Sequence, residues 1–199
     1  MEIPNSSRVV SDKSMQAVYS MSFLVAFGGT IVGTCIPLFV RLQGAGDFLT
    51  SLVQSASSII YIVTPLLLSP FVRRFGLQKS VIFATGIALI NVLIYFTFWS
   101  LFTPSLFLIV IGTFFVTHVV DGFWTGLFWP AVESRISDEK RVMPNPLEYE
   151  VHVRRYNLGW NAGVAASYAC LIVATLPPTK EQIIAGLFII FIIGAVSFV

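Results

Sequence analysis

Six apolar runs, each of about 20 residues and so able to cross roughly 30 Å of hydrocarbon, divide the chain at approximately 15–40, 48–71, 79–99, 105–132, 157–176 and 183–199. Polar breaks separate them. RLQGAGD carries two glycines and Asp47, which mark a turn after the first run. Arg73, Arg74 and Lys79 bracket the second break, where Phe75-Gly76 supplies a helix stop. Thr103-Pro104 lies in the uncharged third break, a longer charged loop is expected at about 133–156, and LPPTKE precedes the last run. The pattern predicts an all-α membrane protein of six transmembrane helices behind a polar tail over residues 1–14.

The positions of Lys and Arg orient the spans. With the N-terminus cytoplasmic, the inner segments hold Arg8, Lys13, Arg73, Arg74, Lys79, Arg135, Lys140, Arg141, Arg154 and Arg155, and the outer segments only Arg41 and Lys180. Ten against two is a strong positive-inside bias, and it predicts a multi-pass cell-membrane protein with its N-terminus inside. Composition agrees: 11% of residues are charged, against about 25% in an average soluble domain. A net charge of +2, with the basic residues spread along the chain, excludes a nucleic-acid partner. Cys35 and Cys170 fall inside apolar runs without metal-site spacing and read as small packing residues.

Gly29, Gly33 and Pro37 in the first run share the spacing GxxxGxxxP with Gly122, Gly126 and Pro130 in the fourth. The two runs cross in opposite senses, as the first helices of two inverted three-helix repeats would. GxxxG is equally the mark of a close-packing helix face. Both readings stay open.

Six spans, a short basic loop after the second, a longer charged loop after the fourth, SPFVRRFG at Ser69–Gly76, FWPAVES from Phe128 and NLGWNAG from Asn157 together resemble, over the whole chain, the N-terminal half of a major facilitator superfamily transporter. Ser69-Pro70-Phe71-Val72-Arg73-Arg74-Phe75-Gly76 is similar to that family's loop motif GxxxD(R/K)xG: Arg74 and Gly76 match, whereas Ser69 replaces the first Gly and Arg73 the Asp. FWPAVES from Phe128 and NLGWNAG from Asn157 look like the end of the fourth helix and the start of the fifth in many members. The resemblance implies alternating access, a cavity lined by the first and fourth helices, and a gating loop at Arg73, Arg74 and Gly76. Arg73 cannot act with the sign of the acid it replaces. Glu133 offers the opposite charge, so an Arg73–Glu133 pair is an expected latch, beside the simpler reading that Arg73 and Arg74 only set topology. Family members carry twelve spans in two halves, so a second six-helix bundle is expected as partner, either from a longer chain or from a second copy.

The strongest chemical signal is His118 with Asp121, three residues apart and so about 4.5 Å apart along one helix face in the middle of the fourth run. Ionisable groups in hydrocarbon are expensive and mark substrate or proton pathways. Asp121 is therefore the expected proton-coupling group, with His118 as its partner or a substrate contact; the rival reading is a pair that only fixes helix packing. Trp124 either stacks on a substrate or fills a gap. Asn91 and Gln54 read first as hydrogen bonds to neighbouring helices and second as cavity contacts. Asn161 either reaches the cavity or caps its helix, and Trp99 and Trp129 suit interfacial anchoring.

No GxSxG elbow, HExxH helix or phosphate-cradling GxxxxGK(S/T) occurs, so neither an enzyme nor an ATP-driven pump is expected, and no cofactor or metal is called for. The expected function is secondary active transport of a small solute across the lipid bilayer, coupled to protons. The alternative is a scaffold without transport activity or a truncated transporter remnant.

Overall fold

The structure, a computed structural model, describes residues 12–142 and 146–197. Six long helices account for nearly all of them: α1 (Asp12–Leu42), α2 (Asp47–Phe75), α3 (Leu77–Ser100), α4 (Phe107–Val142), α5 (Pro146–Thr175) and α6 (Lys180–Val196), with a short 3₁₀ turn at Pro104–Leu106. No strand occurs among the described residues. This is the outcome hydrocarbon imposes, because a helix satisfies its backbone groups within itself. Five helices contain stretches long and apolar enough to cross a membrane, at 15–42, 47–68, 78–100, 104–134 and 149–175. The 17 described residues of α6 fall short by length. Large apolar side chains such as Leu66, Leu108, Leu158 and Ile172 point outward, a surface suited to lipid and not to water. The chain is a multi-pass membrane protein.

The breaks follow local chemistry. Gly76, at φ 83°, joins α2 to α3 within a single residue, its N–H donating to the Val72 carbonyl and its own carbonyl accepting from the Ser80 hydroxyl at 2.9 Å. A side chain there would be strained. Thr179 caps α6 by accepting from the Gln182 N–H at 3.3 Å. The loop expected at 133–156 is largely helical: α4 continues to Val142 and α5 opens at Pro146. Apolarity marks where a helix meets lipid, whereas Glu, Lys and Arg extend it readily into water. Of the expected polar tail, residues 1–11 lie outside the described residues.

Two sets of contacts build the bundle. α1 lies along α5 in parallel: Gly159 sits against Tyr19, Gly163 against Phe23, and the Ser167 hydroxyl donates to the Phe27 carbonyl at 2.8 Å. α2 and α4 are parallel likewise, with Gly122 against Ser57 and Gly126 against Tyr61 and Thr64. Among the antiparallel contacts are α1 with α6, where the Cys35 thiol donates to the Leu187 carbonyl at 3.6 Å, and α3 with α4. A Cβ on Gly122 or Gly163 would collide with backbone of the facing helix. One on Gly29 or Gly33 would meet nothing within 4 Å. The glycine pairs of α1 and α4 thus share a spacing but not a packing role.

Aromatic clusters close the bundle at two levels. At one, Phe39, Tyr95, Trp99, Phe114 and Phe191 interlock, and at the other Trp124, Phe128, Trp129 and Tyr156. Trp99 and Trp129, expected as interfacial anchors, are instead buried in these clusters at 6% and 5% exposure. Their bulk fills space between helices. Cys35 is buried and Cys170 half-buried, both as free thiols.

The glycine contacts predict opposite signs for one substitution. Gly122→Ala and Gly163→Ala are expected to destabilise the protein by about 1–3 kcal/mol through overpacking. Gly29→Ala should leave stability unchanged or raise it by about 0.5–1 kcal/mol, since alanine favours helix and meets no neighbour. Thermal unfolding in detergent checks both.

Candidate functional site

A cavity of about 670 Å³ opens between α1, α2, α3, α4 and α5. It begins beside His118, near the middle of the α4 span, and extends along that helix to Trp129. Gly29 and Gly33 leave the α1 wall without side chains, which is one reason the space exists. Ser57, Ser58 and Tyr61 of α2, Thr125 of α4 and Trp160 of α5 also line it. Its volume lies within the roughly 300–1,000 Å³ usual for small-molecule sites.

Asp121 anchors a hydrogen-bond cluster in the wall. Its Oδ1 accepts from Asn91 Nδ2 at 2.6 Å and from Trp124 Nε1 at 3.0 Å, and its Oδ2 accepts from the Tyr95 hydroxyl at 2.6 Å. The Tyr95 hydroxyl also lies 2.5 Å from His118 Nδ1, while Nδ1 and Oδ2 themselves are 4.0 Å apart. Asn91 donates in addition to the Thr117 carbonyl at 2.8 Å. Asn91, Tyr95 and His118 are each no more than 1% exposed, whereas 16% of the Asp121 side chain is accessible. The carboxylate is therefore the most accessible of these polar groups, although His118 and Trp124 also line the cavity.

Proton counting defines what this arrangement can do. The tyrosyl hydroxyl carries one proton and faces two acceptors, so with Tyr95 donating to Oδ2 the hydrogen bond to histidine requires Nδ1–H. One added proton makes the cluster neutral, in either of two forms. It is imidazolium with carboxylate, or Nε2–H imidazole with carboxylic acid, and a concerted shift through the Tyr95 hydroxyl interconverts them. His118 Nε2 and Asn91 Oδ1 are buried without a hydrogen-bond partner among the described residues. The Gly33 carbonyl on α1 lies within electrostatic reach of the imidazole, outside hydrogen-bond geometry.

The other expected residues divide. Trp124 lines the cavity and holds Asp121. Asn91 stands behind the wall, bonded to Asp121, and does not line the cavity. Gln54 and Asn161 are exposed and lie outside the lining; the Asn161 amide donates back to the Asn157 carbonyl at 2.8 Å, a bond within its own helix. At the gating loop Arg74 is exposed, its guanidinium 5.6 Å from the Phe75 ring, and Gly76 forms the α2–α3 junction. Glu133 is exposed and within coulombic reach of Tyr61 and Tyr156, near the Trp129 end of the cavity. The Arg73 side chain, and with it the Arg73–Glu133 pair, lies outside the described residues.

Tyr95 is the residue that the sequence reading missed. Its signal was available: Asn91 and Tyr95 are four apart, so they share one face of α3. Trp129 and Trp160, whose rings meet at 4.1 Å, also belong to the cavity wall. No group of three or more His, Cys, Asp or Glu side chains that could hold a metal ion occurs among the described residues. Comparisons with protein-family models, curated proteins and solved structures find no match for this chain.

Tyr95→Phe removes the hydroxyl that joins His118 to Asp121 and leaves the buried His118 Nδ1 and the half-buried Asp121 Oδ2 each short of a partner. A loss of about 1–3 kcal/mol is expected, read as a lowered unfolding midpoint in detergent. Tyr168→Phe, on an exposed tyrosine, should change nothing measurable.

Proposed function

We propose that the chain is a secondary transporter of the major facilitator type, moving a small solute across the membrane by alternating access with protons as the coupling ion. The observation that carries this reading is a carboxylate set in the wall of a cavity at membrane depth, joined to a second proton-carrying group through one hydroxyl. Ionisable groups at such depth mark ion and substrate pathways. Asp121 takes and releases the coupling proton, Tyr95 relays it, and His118 shares it. Asn91 and Trp124 hold the carboxylate in place through either state.

The helix pairing supports an inverted repeat of α1–α3 and α4–α6. Exchanging the two triplets turns the parallel α1–α5 contact into the parallel α4–α2 contact, and the antiparallel α1–α6 contact into antiparallel α4–α3. On this reading α6 crosses the membrane as the sixth span, and the N-terminus faces the cytoplasm. The bundle rocks against a second six-helix bundle, which closes the remaining side of the cavity.

Proteoliposomes with an imposed pH gradient test the coupling. A solute taken up by the wild-type chain in response to the gradient should accumulate at least tenfold less with Asp121→Asn. Gradient-driven uptake that this substitution leaves unchanged removes Asp121 from the mechanism.

A further inference from the structure

The charge and ring content of the cavity point to the class of solute. Among the described residues Asp121 is the only acid that lines the space, no Lys or Arg lines it, and His118 and Tyr61 are the other titratable groups there. Three of the four tryptophans of the chain, Trp124, Trp129 and Trp160, face it together with Tyr61. Among the described residues, Oδ1 of Asp121 accepts two hydrogen bonds, whereas Oδ2 accepts one, from Tyr95. A carboxylate oxygen offers about two acceptor positions, so one position on Oδ2 remains for a ligand.

We propose that this cavity binds a monovalent organic cation, an amine or quaternary ammonium with an apolar body, whose charge rests at Asp121 and whose body lies against the tryptophans. The assignment rests on the reading of the cavity as the solute site. An anion would meet the Asp121 carboxylate with no Lys or Arg in the wall, and His118 beside it is a cation only while it holds the shared proton. A neutral solute would leave the charge of Asp121 to be balanced by the shared proton alone. A cation neutralises the carboxylate, and the indole rings that line the same space offer it an electron-rich surface.

Proton and cation then compete for one carboxylate, since each neutralises the same charge. The titratable groups facing Asp121 are His118 on its own helix, Tyr95 from α3 and, across the cavity, Tyr61 from α2, with Glu133 near Tyr61; α1 and α5 bring none among the lining residues. Binding of the cation expels the proton shared by Asp121 and His118, and protonation expels the cation. This is the exchange that an antiporter requires.

The test uses the full chain in nanodiscs without a gradient, with tetraphenylphosphonium as probe and the anion tetraphenylborate, of nearly equal size and shape, as its control. Tryptophan fluorescence and calorimetry should report saturable phosphonium binding at least tenfold tighter than any saturable borate binding. Affinity should fall as pH falls, approaching tenfold per pH unit, with proton release on binding. Asp121→Asn should weaken binding at least tenfold and remove the pH dependence. Gly29→Leu, which fills open space in the α1 wall away from the hydrogen-bond cluster, should block binding while the unfolding midpoint is kept. Equal binding of the two probes, or phosphonium binding unchanged by Asp121→Asn or by Gly29→Leu, overturns the assignment. Asp121-dependent phosphonium binding without gradient-driven uptake overturns the transport reading and leaves the cation site standing. Gradient-driven uptake of a neutral or anionic solute, with no phosphonium binding, does the reverse.

Discussion

A carboxylate at membrane depth has to be satisfied from neighbouring helices, because lipid offers it nothing. Asp121 meets that demand with an amide and a hydroxyl from α3 and an indole from its own helix. Those contacts fix the rotation and height of α3 against α4, since a slip of one residue on either helix would turn Asn91 or Tyr95 away. The aromatic clusters above and below then pack around a pairing whose register is already set. A polar cluster this well connected rigidifies its surroundings, and one with a missing member is costly.

Small residues decide where the bundle is closed and where it stays open. Gly122 and Gly126 bring α4 onto α2, and Gly159 and Gly163 bring α5 onto α1. In hydrocarbon, where apolar surfaces gain little by leaving lipid, close backbone approach supplies much of the attraction between helices. Gly29 and Gly33 do the opposite, for they meet no neighbour and leave room in the cavity wall. One residue type thus both tightens the bundle and hollows it.

The helices could be read from the chain because an apolar run of span length has few other uses, and the breaks at Gly76 and Pro104 carry their own stereochemistry. His118 and Asp121 could be read as partners because their spacing fixes a common face. What spacing cannot give is the direction of that face. Gln54 carries the same reading as Asn91, a polar residue in an apolar run, and Asn161 is read as a cavity contact or a cap, yet α2 and α5 turn Gln54 and Asn161 outward while α3 turns Asn91 onto Asp121. Helix rotation is set by packing between elements, so these three diverge only once the bundle is assembled. The extension of α4 to Val142 was hidden for a different reason, since hydropathy falls at the membrane boundary and helicity does not.

Proton coupling as proposed requires Asp121 to change its protonation state inside the hydrogen-bond cluster. Infrared difference spectroscopy across a pH titration reads that change directly, through the carbonyl stretch of a protonated carboxyl group. The expected band grows as pH falls, is absent from Asp121→Asn and is shifted in Tyr95→Phe, where one hydrogen bond to the group is lost. A pH-dependent carboxyl band that persists unchanged in both variants would contradict the proposed coupling.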